Sequence, residues 1–398
     1  MNNKAYSKSR FVRSLTALLM AIVCIITLLP EGSIVAQAGT LVQAPSIVSK
    51  SSNALWVNGS SYADDNGLDA IKWHYNSTEG KYYLYLPSSV DLNNLTVWHT
   101  FSDSMYVNGT KISSGETTNI FAGGGNYTVK SGSNTYKLVV MQSTNINTMF
   151  ITTKSGSLDA VNNSKDHTVS DSGQIVYVDT KGKAQSVGLD QIKGRGNSSW
   201  EAAQKLFYKY PYNIKLESKI ALYGMKKSKK WCLLANDFDQ SLLRNKFIFD
   251  IAQDAGMAYT PQHEFADVYQ NGRYIGNYLV TSKVEVDKNR VNITDLEGAT
   301  EEVNDKALDK YSRGGKTTST AANTNKYYNI PNDPADITGG YLLEFELDER
   351  YPGEASGFVS EKNQPIVVKT PEFASKAQVE YIQNYFRQME SAVYNTGA

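Results

Sequence analysis

The chain is poor in the residues that most readily announce a chemistry. It has two cysteines and four histidines in 398 residues, and lysine plus arginine balance aspartate plus glutamate at 40 each. Charge balance gives no electrostatic reason to propose nucleic acid as a partner. No two of His74, His99, His167 and His263 have ligand-like spacing, which weighs against metalloenzyme and nuclease readings. Cys24 falls in the apolar run Leu15–Leu29, and Cys232 stands between Trp231 and Leu233. Cys232 therefore reads as a packed core residue rather than a nucleophile. That apolar run is shorter than the ~20 residues a bilayer needs. Lys4, Lys8, Arg10 and Arg13 precede it and Ala36-Gln37-Ala38 follows, the pattern of a secretory signal peptide with cleavage after Ala38. An uncleaved anchor helix is the alternative. Cys24 leaves with the leader and lacks the small residues expected before a lipidated cysteine. The exported chain then has no internal disulfide and no membrane segment, so its stability must come from core burial.

From about 43 to 143 the chain is a β-domain. Strand signals recur at short spacing: Ala54–Val57, Tyr82–Leu86, Leu95–Trp98, Ser104–Val107, Tyr127–Val129 and Tyr136–Val140. Turn pairs such as Asn58-Gly59 and Asn108-Gly109 favour the type I′ hairpin. Short strands so spaced predict an immunoglobulin-like β-sandwich. The run Ala122–Asn126 reads as a turn, since no helix follows to make it a phosphate loop. Tyr82, Tyr83 and Tyr85 are half-buried strand packing on the simpler reading and a cell-wall glycan strip on the other. Spacing or adhesion is the role this domain suggests.

The most informative stretch runs from Ile192 to Ile293. A glycine-containing loop leads to a strand with a central lysine, Tyr212–Leu216, then to an apolar run at Trp231–Ala235. A helix over about 240–255 and a hairpin turning at Asn271-Gly272 follow. Arg195 can pair with phosphate oxygens, and Gly194, Gly196, Asn197, Ser198 and Ser199 are small enough to let backbone N–H groups approach a polyphosphate. A tight turn whose arginine caps a structural carboxylate is the other reading. Lys226, Lys227, Lys229 and Lys230 make a basic turn, ordinarily a solvated loop, though able to attract an acidic substrate segment. Asp237 and Asp239 suggest a metal, but Asp239 or Ser241 as the N-cap of the following helix explains the local sequence more economically.

Five ordered motifs in this stretch resemble the CotH family of secreted, atypical kinase-like proteins. They are Arg195–Trp200, Pro211–Leu216, Trp231–Asn236, Leu242–Asn245 and Lys288–Ile293. The resemblance covers roughly 148–395. It implies an atypical protein-kinase-like fold, ATP and Mg as cofactors, and phosphoryl transfer to serine or threonine of spore-coat, extracellular or cell-surface proteins. The expected fold class is α+β: the sandwich, then an incomplete kinase-like domain over 148–398 with a polar, exposed insertion at 300–338. In such a lobe Lys215 corresponds to the lysine that pairs with phosphates and a helix carboxylate. Lys283 and Glu285 leave the hairpin where an adenine would lie. Two departures weaken these roles. Lys209-Tyr210 stands where the family has two lysines, and Ser282 stands where it has glutamate. Carboxylates that in the family bind metal and catalyse lie in an Asn-x-Asp and a later Pro-Trp-Asp-like segment, and neither is found here. No catalytic or metal residue is therefore assigned, and a non-catalytic surface-binding protein is the alternative to a kinase. Leu343, Phe345 and Leu347 alternate with Glu344, Glu346 and Asp348 in a late strand, and a final helix is expected over 375–394.

Overall fold

The structure is a computed structural model and describes residues 54–58, 68–304, 306–315 and 325–394. The expected leader and its cleavage point at Ala38 lie outside the described residues, as does Gly59. The fold is mixed and mostly sheet, as the α+β reading requires.

The N-terminal part is two sheets. In one, β1 (Leu55–Asn58), β2 (Ala70–Lys72), β5 (Leu95–His99) and β8 (Glu116–Thr118) run in the order β2-β1-β5-β8. In the other, β3 (His74–Asn76), β4 (Lys81–Leu86), β6 (Met105–Val107), β7 (Thr110–Ile112), β9 (Gly125–Ser131) and β10 (Asn134–Gln142) run in the order β3-β4-β10-β9-β6-β7. Each expected strand segment falls in one of these strands. Alternation buries one face of each, so Leu55 and Val97 meet Leu84, Val129 and Leu138 in one core. Asn108 and Gly109 both adopt positive φ in the β6–β7 hairpin, as an Asn-Gly turn demands. The tyrosines of β4 pack rather than form an open strip. Tyr83 is buried, Tyr82 stacks on Trp73 at 4.1 Å, and Tyr85 meets Tyr274 at 4.9 Å.

Seven strands then close a barrel: β11 (Asn147–Thr153), β12 (Ser170–Val178), β13 (Ala184–Gly194), β14 (Tyr212–Ile220), β15 (Ser228–Leu234), β16 (His263–Gln270) and β17 (Arg273–Ser282). The order is β11-β12-β13-β14-β15-β17-β16, and a parallel pairing of β16 with β11 completes it. Inward residues Met149, Ile175, Ile214, Trp231, Leu233 and Tyr278 fill the interior, and Val161 of the short helix α1 (Asp159–Asn162) joins them. The β16–β17 hairpin turns at Asn271 and Gly272, both at positive φ, where sequence placed it. Closure itself was not foreseen. Neither was a shared core: Phe150, Val176, Val178 and Tyr269 point outward from β11, β12 and β16 into the sandwich interior.

After the short helix α2 (Ser198–Ala202), α3 (Arg244–Asp254) links β15 to β16. It starts four residues later than expected because Leu242 takes positive φ and the Asp239 carboxylate accepts the Arg244 backbone N–H at 2.7 Å. The remaining chain makes α4 (Leu296–Glu302) and a sheet of β18 (Arg313–Gly315), β19 (Lys326–Tyr328), β20 (Leu342–Phe345), β21 (Gly357–Val359) and β22 (Pro365–Thr370), ordered β18-β19-β21-β22-β20. Helix α5 (Lys376–Tyr394) buries Val379, Ile382 and Phe386 against Phe358, Ile366 and Val368. One expectation needs correction. Within 300–338 the described residues include two strands and buried Tyr328 and Ile330, and the Lys326 ammonium donates to the Tyr351 carbonyl at 2.7 Å. Composition hid this, because one buried lysine and a few apolar residues suffice to seat the segment. In β20 Glu344 is exposed, and so are Phe345 and the following Leu347.

Candidate functional site

A cleft of about 960 Å³ lies between the outer wall of the barrel and the C-terminal sheet. Its barrel side begins at the end of β13. A Cβ on Gly194 would sit 2.5 Å from the Trp200 ring, so only glycine lets the buried tryptophan seat there. Trp200 is fixed in turn by its indole N–H, which donates to the Ser164 carbonyl at 3.0 Å. Gly196 has φ +87°, a conformation that side-chain-bearing residues resist. Arg195 is thereby held between two constrained glycines, its own N–H donating to the Pro211 carbonyl at 3.2 Å. Lys193 and Arg195 line the cleft from β13 and its loop, Lys283 from beyond β17, and Lys369 with Glu344 from the far wall. Among the described residues Lys193, Arg195 and Lys283 have no ion-pair partner, whereas Lys369 is engaged with Glu354 at 3.4 Å and Glu344 at 3.7 Å. The carboxylate-capping reading of Arg195 is thus not what this structure contains.

The other sequence candidates divide. Asn197 lines the same cleft. Ser199 and Arg195 line an adjoining pocket of about 310 Å³, and Ser198 is exposed and lines neither. Lys215 does lie on the outer wall, two residues from the cleft-lining Asn213, but its ammonium pairs with Asp190 at 2.6 Å and does not line the cleft. The unknown acid partner of this lysine is therefore a strand neighbour, not a helix carboxylate. Glu285 is also committed, to Arg290 and to Lys230, the latter at 3.0 Å. It braces the segment after β17 and offers no free oxygen row to an adenine.

Several residues behave differently from their sequence reading. Cys232 is buried, but on the cleft wall rather than in the barrel core, with its thiol donating to Asn213 at 3.2 Å; burial pushes its pKa up, as expected of an inert thiol. Asp239 is not the N-cap of α3, which is Leu243 without a side-chain cap bond, but its carboxylate accepts from the Ser241 and Arg244 backbone N–H groups and so holds the turn that leads into the helix. Asp237 faces Lys209 at 3.7 Å, and burial raises its pKa to about 6 despite that lysine. Asn245 donates to Asn236 at 2.7 Å, so it ties the first turn of α3 to the loop after β15. Sequence reasoning missed Lys193 and His167. Lys193 could have been found as the outward neighbour of Ile192 immediately before Gly194. His167 lines the cleft edge-on to Trp200 at 4.9 Å, with its Nε2 buried and unpartnered, and burial lowers its pKa. No sequence signal marks it.

A family model described as CotH kinase protein matches residues 192–392, just over half of the chain. The chain belongs to the CotH kinase family. No curated protein matched it. The matched span contains every motif that carried the resemblance and most of the cleft lining, though Asp166, His167, Thr168 and Gln191 lie before it. ATP and Mg, which the family suggests in general, fit the described residues unequally. Three unpaired cations and the unpartnered His167 nitrogen suit phosphate oxygens. A divalent cation wants oxygen ligands. The cleft's carboxylates are Glu344, beside Lys369, and Asp166, bonded to Ser164 and Thr168. No group of three His, Cys, Asp or Glu able to hold a metal gathers among the described residues.

Proposed function

We propose that the cleft holds the phosphates of ATP, and that the protein is a secreted CotH-family kinase that transfers phosphate to serine or threonine of spore-coat or cell-surface proteins. One observation supports this above the others: Lys193, Arg195 and Lys283 converge unpaired on one hollow. Three cations without carboxylate partners, Lys193 and Arg195 half-buried and Lys283 exposed, give this hollow a positive potential that attracts an anion. In this reading Arg195 grips two phosphate oxygens from its rigid glycine mount, Lys193 and Lys283 neutralise the remainder, and the His167 nitrogen takes one further bond. The N-terminal sheets then act as an immunoglobulin-like spacer or adhesion module. Family members being associated with spore coats and surfaces agrees with export. Among the described residues no helix is long and apolar enough to cross a membrane.

Titration calorimetry with ATP and with inorganic tripolyphosphate tests the cleft. Both are expected to bind, and Arg195→Ala to weaken both roughly tenfold or more, the worth of one charge-assisted pair. Absence of binding, or unchanged affinity in Arg195→Ala, overturns the reading. The metal-poor donor set favours a second reading, a lobe that binds nucleotide or protein without turnover. Phosphate incorporation into the protein from labelled ATP, lost in Arg195→Ala, eliminates that alternative.

A further inference from the structure

Behind the segment Ser282–Val284, which forms part of the cleft wall, lies a second hollow of about 520 Å³. Its lining carries four cations, Lys226, Lys283, Lys288 and Arg290, and no carboxylate. Arg290 is neutralised by Glu285 and Asp287, which also serve Lys230 and Lys219 at 3.0 Å each. Lys226, Lys283 and Lys288 have no ion-pair partner among the described residues.

The loops that carry these lysines are tied to one another. Asn289 donates to the Lys227 carbonyl at 2.9 Å, joining the two lysine-bearing turns. The Lys226 N–H donates to the Gln262 side chain at 2.7 Å, and the Gln262 N–H donates to the Ser282 hydroxyl at 3.2 Å. Tyr259 closes the other end by donating to the Asn292 carbonyl at 3.1 Å. The side chains of Lys226, Lys283 and Lys288 are exposed on these tied loops and together make a local positive potential that favours an anion.

We infer that this second hollow docks an anionic segment of a polypeptide, bearing carboxylates or phosphoserines, and that Lys226 and Lys288 are its recognition residues. A peptide suits it better than a nucleic acid. The basic surface is local in a chain of zero formal net charge, and the amides of Gln253, Gln262 and Asn292 on its walls match peptide groups. Lys283 lines both hollows, so a chain anchored behind Ser282–Val284 reaches the mouth of the cleft within a few residues. The role as a substrate anchor rests on the phosphate reading of the cleft; the docking itself does not.

Fluorescence anisotropy of the exported chain with three short labelled peptides, glutamate-rich, phosphoserine-bearing and glutamine-substituted, tests the assignment. Both anionic peptides are expected to bind at low salt about tenfold or more tightly than the neutral one, and to release as salt rises. The stronger of the two identifies the source of the charge. Lys226→Glu with Lys288→Glu is expected to weaken anionic binding about tenfold while ATP affinity, read by calorimetry, stays unchanged. Equal binding of the neutral peptide, indifference to the double substitution, or displacement by an oligonucleotide of equal charge at lower concentration overturns the proposal. Failure of ATP to bind, with peptide binding intact, removes only the phosphate reading of the cleft.

Discussion

The outer wall of the barrel is used in two opposite ways. On β11, β12 and β16 the outward residues are Phe150, Val176, Val178 and Tyr269, all sealed into the sandwich core. On β13, β14, β15 and β17 they are Lys193, Asn213, Cys232 and Thr281, facing the cleft under the C-terminal sheet. Both stretches obey the same strand alternation, with Met149, Ile214, Trp231 and Val280 turned inward throughout. Apolar outward residues mark a wall that is covered for stability. Polar outward residues beneath a covering layer mark a wall that leaves a hollow, the one proposed above for binding.

The largest break in that contrast comes from Phe150→Ala. Phe150 is 2% exposed and stacks on Tyr269 at 5.0 Å, while the Tyr269 hydroxyl donates to the Tyr85 carbonyl at 3.1 Å. Deleting the ring leaves a cavity where barrel and sandwich share a core, at a cost of about 3–5 kcal/mol by urea denaturation. Cys232→Ala on the binding wall removes one sulfur and is expected to cost about 1 kcal/mol or less. Equal losses at the two positions would abolish the distinction between the walls.

A smaller effect comes from pH. His74 of β3 stacks on Tyr85 at 5.3 Å where the sandwich meets the barrel, and burial, then the nearby Arg273 charge, lower its pKa from 6.5 to about 4. Between those values the unfolded chain binds the proton and the folded chain does not. The stability this neutral ring secures is complete above pH 6.5 and is eroded as pH falls toward 4, by roughly 2–3 kcal/mol. Urea midpoints of the parent should fall across that window, and those of His74→Phe should fall less. A parallel fall in both would place the acid sensitivity elsewhere.

Much of this architecture was legible from local pattern. The alternation of Tyr212, Ile214 and Leu216 fixed which side of β14 faces inward, and Asn271-Gly272 fixed a hairpin, because both depend on neighbours in sequence. Barrel closure depends on Asn147 meeting Ala266 in a parallel pairing, which no short-range signal encodes. The cleft was legible in part for the same reason. Arg195 stood out through its glycines and Lys193 follows from strand alternation beside it, but the far wall of the cleft depends on residues 342–369 packing across the barrel. The buried segment around Lys326 was misread because hydrophilic composition says nothing of two backbone carbonyls waiting to receive the ammonium.

The smallest expected effect sharpens the comparison most. Lys215 and Cys232 lie on neighbouring strands of the binding wall, yet only Cys232 lines the cleft, because the Lys215 ammonium is held at 2.6 Å by Asp190 and both side chains stay near half exposed. Solvent-exposed pairs of this kind contribute little to stability. Lys215→Ala should therefore leave the urea midpoint and the tripolyphosphate affinity unchanged within error, in contrast to Arg195→Ala. If calorimetry instead shows Lys215→Ala weakening tripolyphosphate as much as Arg195→Ala does, the lysine must exchange Asp190 for phosphate when the anion enters. The double substitution Asp190→Asn with Lys215→Ala then decides between them. Asp190→Asn alone should tighten binding if the pair is a competitor for the lysine, and leave it unaltered if the pair is only a strand-to-strand tie.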